Sequence, residues 1–168
     1  MYSLWLAREV AEDGFLVINS DVLFHGGILK ALLDSPHPDA LAVDFAANLA
    51  EEEMKVRVKD GRVRALSKKL LNADAENVGM LKFCAAGSQL LFAKIAELLD
   101  QGLSRVMVPY AVNAIAPGYP LAAVPVQGLP WIEIDFPEDY QKAREVVFPA
   151  IVKDQQVPLY PSVAGSRR

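Results

Sequence analysis

Two aspartates stand where the ends of predicted strands would place ligand-binding side chains. Asp21 follows the apolar run of residues 15–18 after a short polar turn, and Asp135 closes the alternating run of residues 131–134 just before a predicted helix. In open α/β sheets, ligands bind beyond the carboxyl ends of the strands. If these two strands are neighbours, the two carboxylates could hold one Mg²⁺, a cation that uses one or two carboxylates together with substrate phosphates.

A purely structural interpretation of the same residues stays open. Aspartate is favoured at helix N-caps and in turns, so Asp21 could cap the helix that follows it and Asp135 could be an ordinary loop or N-cap residue. His25 and His37 lie in predicted loops without clustered partners and receive no role. Cys84, at the end of a predicted strand, is interpreted as a small buried hydrophobe.

Three lysines, Lys55, Lys68 and Lys82, fall in or beside predicted strands rather than on an outer helix face. Phosphate binding is one explanation. The solvated side of a hairpin is the other, because strand edges often carry lysine. Lys55 and Lys68 are therefore candidate substrate-binding residues with both interpretations open.

The elements that must position these residues alternate between strands and helices. Apolar runs at residues 15–18 and 40–43 predict strands buried on both faces, and the helical spacing over 27–34 predicts a crossover helix between them. This order favours a right-handed strand–helix–strand unit. The other predicted elements are a helix at 3–12, a hairpin at 54–66 that turns at Asp60-Gly61, strands at 78–83, 121–126 and 131–135, and helices at 85–101, 110–115 and 140–147. The pattern predicts an α/β fold with a Rossmann-like mixed, mostly parallel sheet flanked by helices.

Composition and length set the class of protein. The 168 residues, 52% of them apolar and 23% charged, suit one globular domain, which we place at residues 1–150 with an extended or flexible tail at 151–168. A net charge of −4 without a large basic block argues against nucleic acid as a partner. No run approaches the ~18 apolar residues of a membrane span, and the amino terminus lacks the pattern of a signal peptide. We expect a cytoplasmic protein that does not interact with membranes.

Five segments occur in an order that is more specific than any one of them. They are residues 15–21 (FLVINSD), 53–56 (EMKV), 67–68 (SK), 76–83 (ENVGMLKF) and 131–139 (WIEIDFPED). Together they resemble the MobA-like nucleotidyltransferases, and most of all the branch of phosphocholine cytidylyltransferases and sugar-1-phosphate nucleotidyltransferases. The resemblance runs from about residue 3 to 148.

This resemblance implies a fold, a reaction and a set of site residues. The fold is that of the nucleotide-diphospho-sugar transferases. The reaction moves a nucleotidyl group from an NTP to a phosphorylated acceptor, a sugar 1-phosphate or phosphocholine, and releases pyrophosphate. By position, Asp21 and Asp135 match the family's catalytic Mg²⁺ ligands. Lys68 resembles a phosphate or acceptor contact, Glu76 an acceptor-side carboxylate, and Asp44 lies in the acceptor region.

The sequence also departs from the family pattern. Family members begin with a strand and a glycine-rich loop of the form G-x-G-x-R, whose backbone N–H groups cradle the triphosphate, and this sequence contains no such loop. We therefore expect an amino-terminally truncated domain, as a homodimer or with a partner chain that supplies the missing segment. The alternative is a catalytically inactive remnant that acts as a binding or oligomerisation module. Residues 109–113 also lack the acidic residue that relatives carry after the tyrosine.

Overall fold

A computed structural model describes residues 1–47 and 49–154. The helices are α1 (Tyr2–Leu6), α2 (Arg8–Ala11), α3 (Gly26–Asp34), α4 (Ala85–Asp100), α5 (Val108–Ile115), α6 (Pro137–Lys142) and α7 (Phe148–Asp154), with a π-helical turn (Ala143–Val147) between the last two. The strands are β1 (Gly14–Ile18), β2 (Val22–Phe24), β3 (Ala40–Asp44), β4 (Lys55–Lys59), β5 (Arg62–Leu66), β6 (Ala75–Cys84), β7 (Ala122–Pro125) and β8 (Trp131–Glu133).

Six of these strands form the central sheet in the order β1-β6-β3-β7-β5-β4, and β2 pairs with β8 in a separate ribbon. The long strand β6 lies between β1 and β3 and is antiparallel to both. The strands joined by α3 therefore point the same way, as predicted, but they are not neighbours. Within the described residues the β3–β7 pairing is the parallel one in this sheet, and its other pairings are antiparallel.

The mixed α/β class is thus confirmed, whereas the prediction of a mostly parallel sheet is wrong. The reason lies in the hairpin of β4 and β5, which turns at Asp60-Gly61 as predicted. Both turn residues have positive φ, 53° and 71°, as a type I′ turn requires. The hairpin makes β4 and β5 antiparallel, and β6 is antiparallel to each of the strands that it pairs with, β1, β3 and β4.

Helices cover both faces of the sheet. On one face α4 and α5 bury Leu91, Ile95 and Val112 against strand residues such as Leu41. On the other, α3 buries Ile28 and Leu32. Each fully buried side chain of this kind contributes roughly 1.5–3 kcal/mol to stability. This double coverage explains why β3 and β6 are almost continuously buried.

The carboxy-terminal part is more helical than predicted. The expected helix at 140–147 is present as α6 and the π-helical turn, but α7 continues to Asp154. Residues 151–154, assigned to an extended or flexible tail, are therefore helical, because Ile151 packs in a small cluster with Ile132, Ala143 and Val147. The remaining tail residues, 155–168, lie outside the described residues. No helix in the described part of the chain is both long enough and apolar enough to cross a membrane.

Candidate active site

The short ribbon of β2 and β8 brings the two predicted aspartates together. Val22 pairs with Glu133 in its antiparallel register, and the Ile134 backbone N–H donates to the Asp21 carbonyl at 2.9 Å. Asp21 and Asp135 thus lie at the same end of the ribbon and line one cavity of about 370 Å³. The shared metal site was made conditional on the strand before Asp21 being a neighbour of the strand before Asp135. In the structure β1 pairs with β6, and β2 makes the connection to β8.

Neither aspartate caps the helix that follows it. The N-cap of α3 is His25, whose Nδ1 accepts from the Gly27 backbone N–H at 3.0 Å. At the start of α6 the accepting side chain is that of Asp139, which bonds to the backbone N–H groups of Phe136 and Asp135. The capping interpretation is therefore wrong for both residues. Asp135 does lie in the loop between β8 and α6, and both residues line the cavity.

A glycine in β6 allows a third polar side chain to approach the aspartates. Gly79 has a φ of +77°, and a Cβ at this position would lie 2.8 Å from the Asn19 amide nitrogen. The Asn19 backbone N–H donates to the Gly79 carbonyl, and its side chain donates to Glu133 Oε1 at 3.2 Å. Asn77 also lines the cavity and accepts from the Gly79 N–H. Any side chain at position 79 would displace Asn19.

Glu133 lines the same cavity as the two aspartates and was missed by the sequence analysis. Burial raises the pKa of its carboxyl, the charges of Asp135 and Asp21 raise it further, and the hydrogen bond from Asn19 partly offsets this. The available signal was its position two residues before Asp135, because residues i and i+2 of an extended chain face the same side.

A second cavity, of about 310 Å³, adjoins the first and shares Glu52, Glu133 and Asp135 with it. Asp44 and Glu76, both predicted as acceptor-side residues, line this cavity and face each other across β3 and β6. The Trp131 indole N–H donates to Asp44 Oδ2 at 2.9 Å and fixes that carboxylate.

Glu76 is buried among other carboxyl groups. Its burial, a hydrogen bond with Glu53 and the charges of Glu53, Asp44 and Glu133 raise the pKa of Glu76 to about 9. The Glu76 carboxyl is therefore protonated at neutral pH, and its one O–H is engaged in the hydrogen bond with Glu53. Glu53 was not predicted, because it lies in a loop whose conformation leaves no periodic signal.

The three candidate lysines are in different environments. Lys68 lines the cavity of the aspartates, with its Nζ 3.6 Å from Glu52 Oε2. Lys55 is buried and its Nζ donates to two backbone carbonyls, so the structure does not bring it to the aspartates. Lys82 donates to the carbonyls of Leu33 and Ser35 at the end of α3 and is not available for phosphate.

The cavity suits a cation that takes few protein ligands. Asp21 and Asp135 both line it, and the described residues contain no group of three or more His, Cys, Asp and Glu side chains arranged to hold a metal. Mg²⁺ is commonly bound by one or two carboxylates, with water and substrate phosphates completing its shell. The donor set therefore fits Mg²⁺ better than a metal that needs a complete protein cage.

Comparison with known proteins shows which proteins share this fold. No protein-family model matches the chain. The chain is 25% identical over 154 residues to the bifunctional IPC transferase and DIPP synthase of Aquifex aeolicus, covering 90% of this chain and 33% of that protein. The solved inositol-1-phosphate CTP transferase of T. maritima superposes with a TM-score of 0.72 at 18% identity, over 92% of this chain and 62% of that one. The CTP:phosphocholine cytidylyltransferase of Streptococcus pneumoniae has a TM-score of 0.63 at 17% identity, over 86% and 62%.

These matches show a mixed α/β fold of the nucleotidyltransferase type, with a central sheet flanked by helices. The chain spans about a third of the curated relative and about three fifths of the solved chains. The names of these relatives describe transferases acting on different phosphorylated molecules. The comparisons do not assign the chain to any one of these branches. They do not favour the alternative of a non-enzymatic module.

Proposed function

We propose that this chain carries the catalytic site of a nucleotidyltransferase. The observation that supports this most is that Asp21, Asp135 and Lys68, which are far apart in sequence, line one cavity. Two carboxylates and a lysine are the groups that a phosphate-transfer site needs to hold a divalent cation and an incoming phosphate.

In the proposed reaction an oxygen of the acceptor phosphate attacks the α-phosphorus of an NTP. A new P–O bond forms as the bond to the β-phosphate oxygen breaks, and pyrophosphate leaves. Asp21 and Asp135 would hold Mg²⁺, which supplies charge neutralisation at the triphosphate. Lys68 would bind the acceptor phosphate, so that catalysis consists of positioning and electrostatics without a protein nucleophile.

We propose a phosphorylated acceptor whose remaining part enters the second cavity. Sugar 1-phosphates, phosphocholine and inositol 1-phosphate are the candidates, the last because it appears in the name of a structural neighbour. The fixed Asp44 and the carboxyl groups beside it offer several hydrogen-bond acceptors, which suit the hydroxyl groups of a polyol. This supports a sugar or inositol phosphate over phosphocholine.

Pyrophosphate release tests the proposal. The purified chain is mixed with CTP, UTP or GTP in Mg²⁺ and with myo-inositol 1-phosphate, glucose 1-phosphate or phosphocholine in turn. We expect release with one pair of substrates, and a loss of about 100-fold or more in Asp21→Asn and Asp135→Asn because each removes charge opposite the phosphates. Asp100→Asn, at the exposed end of α4, is the matched control. Equal turnover in the wild type and both site variants would contradict the assignment.

A further inference from the structure

Lys55 is a buried lysine whose ammonium group is hydrogen-bonded to backbone carbonyls. It begins β4 and is only 9% exposed. Its Nζ donates to the Glu51 carbonyl at 3.1 Å and to the Lys68 carbonyl at 2.9 Å. None of the carboxylates in the described residues forms an ion pair with it. Burial of an ammonium group is costly unless it is hydrogen-bonded, so these two carbonyls are its structural partners.

The two carbonyls belong to different loops. Residues 49–54 lead into β4 and carry Glu52, and residues 67–74 leave β5 and carry Lys68. The loops meet because β4 and β5 form a hairpin, and the Ser67 N–H donates to the Lys55 carbonyl at 2.9 Å. Lys55 therefore joins the two loops through its backbone and again through its side chain.

These are the loops that bring Glu52 and Lys68 to the cavity of the aspartates. The two side chains form an ion pair with each other at 3.6 Å, and both line that cavity. Because Lys55 bonds to the carbonyl of Lys68 itself, it restrains the backbone from which the Lys68 side chain extends. A shift of about 1 Å in a substrate-positioning group is enough to cost a large factor in rate.

We infer that Lys55 is a positioning residue that holds Lys68 where it can bind the acceptor phosphate, and that it makes no contact with substrate. This inference rests on the proposed function. It replaces the sequence-based prediction that Lys55 binds substrate directly.

A double-mutant cycle tests the inference. The affinity for myo-inositol 1-phosphate is measured by titration calorimetry for the wild type, Lys55→Met, Lys68→Ala and the double variant. We expect each single change to weaken binding about tenfold and the double variant to bind no worse than Lys68→Ala, because a residue that acts through Lys68 has no effect once Lys68 is gone. Lys55→Arg, which keeps the donors, should recover most of the affinity. Lys59→Met, at the exposed end of β4, is the matched control.

The outcomes distinguish a failure of the inference about Lys55 from a failure of the proposed function on which it rests. If Lys55→Met binds like the wild type, or weakens binding by the same factor in the Lys68→Ala background, Lys55 does not act through Lys68 and the inference is overturned. If Lys68→Ala binds like the wild type, or the folded wild type binds no acceptor, the role of Lys68 in the proposed function fails first.

Hydrogen exchange gives a readout that needs no ligand. Amides in the loops at 49–54 and 67–74 should exchange several times faster in Lys55→Met than in Lys59→Met, while those of β6 stay unchanged. Unchanged exchange in both loops would also overturn the inference.

Discussion

Glu76 is an acidic residue placed where its charge is unfavourable. It is buried between β3 and β4, beside Asp44 on one strand and the start of β4 on the other. A carboxyl in such a place is neutral near pH 7 and serves as a hydrogen-bond donor. The proposed acceptor site therefore depends on a proton as well as on side chains.

The pH dependence of stability should reveal this proton. The raised pKa of about 9 means that the folded chain keeps a proton on Glu76 that the unfolded chain releases above its ordinary value of 4.5. Between these two pH values the folded state binds more protons than the unfolded state. The contribution of Glu76 to the free energy of unfolding therefore falls as pH rises from about 4.5 to about 9. Glu76→Gln removes the titration, and we expect it to be more stable than the wild type by on the order of 2 kcal/mol at pH 8.5, and by much less at pH 5.

Urea unfolding at the two pH values measures the difference. The exposed Glu12→Gln should follow the wild type at both. A stability difference between Glu76→Gln and the wild type that is the same at pH 5 and pH 8.5 would contradict the assignment.

The sequence revealed the residues at strand ends better than those inside loops and strands. Asp21 and Asp135 were predicted because each follows an apolar run, and the structure brings both to one cavity. The role of Gly79 was not predicted, because a positive φ inside a strand leaves no periodic signal. Glu53 was missed for a related reason: its meeting with Glu76 depends on a loop conformation.

At the scale of elements, the ribbon of β2 and β8 assembles the site. Each strand has only three residues, too few for the period of two to be recognised in β2. The direction of β6 could not be predicted from the sequence either. A strand buried on both faces has the same apolar run whether its neighbours are parallel or antiparallel. Several other elements were predicted well, including the hairpin, α4 and α5.

The hydrogen bonds of Asp139 at the start of α6 should both stabilise the chain and hold the backbone of Asp135 in place. Asp139 Oδ2 accepts from the Phe136 N–H at 2.9 Å and from the Asp135 N–H at 3.2 Å. Asp139→Ala removes both bonds, and we expect a loss of about 1 kcal/mol in unfolding free energy, as for other helix caps. It should also weaken Mg²⁺-dependent nucleotide binding, because the backbone of Asp135 is released.

Asp139→Asn, which keeps an accepting oxygen, should retain most of the stability. Glu138→Ala changes a neighbouring acidic residue of the same helical turn and serves as the control. Full stability and unchanged nucleotide binding in Asp139→Ala would show that these bonds do not position Asp135.

At the scale of the whole molecule, one edge of the sheet is open. β1 is the first strand in the sheet order, and its outer edge has no strand partner among residues 1–47 and 49–154. Unpaired edges favour association with another strand. The predicted association with a second copy or a partner chain therefore has a defined location, and it stays a prediction.

The negative charge of the molecule and of the cavity is the reason why we expect the proposed site to need a cation. The chain has a net charge of −4, and Asp21, Asp135, Glu133 and Glu52 line one cavity with Lys68. Like charges repel, so we expect this cavity to reject a triphosphate unless a divalent cation neutralises the carboxylates.

Titration calorimetry with nucleotides tests the central claim most directly. The chain is titrated with CTP, UTP and GTP in Mg²⁺ and again in EDTA, and the titrations are repeated with Asp21→Asn. We predict that one nucleotide binds in Mg²⁺, and that its binding is lost in EDTA and strongly weakened in the variant. Binding of equal strength in EDTA, or no binding of any nucleotide by a folded sample, would contradict the claim that Asp21 and Asp135 form a metal-dependent nucleotidyl-transfer site.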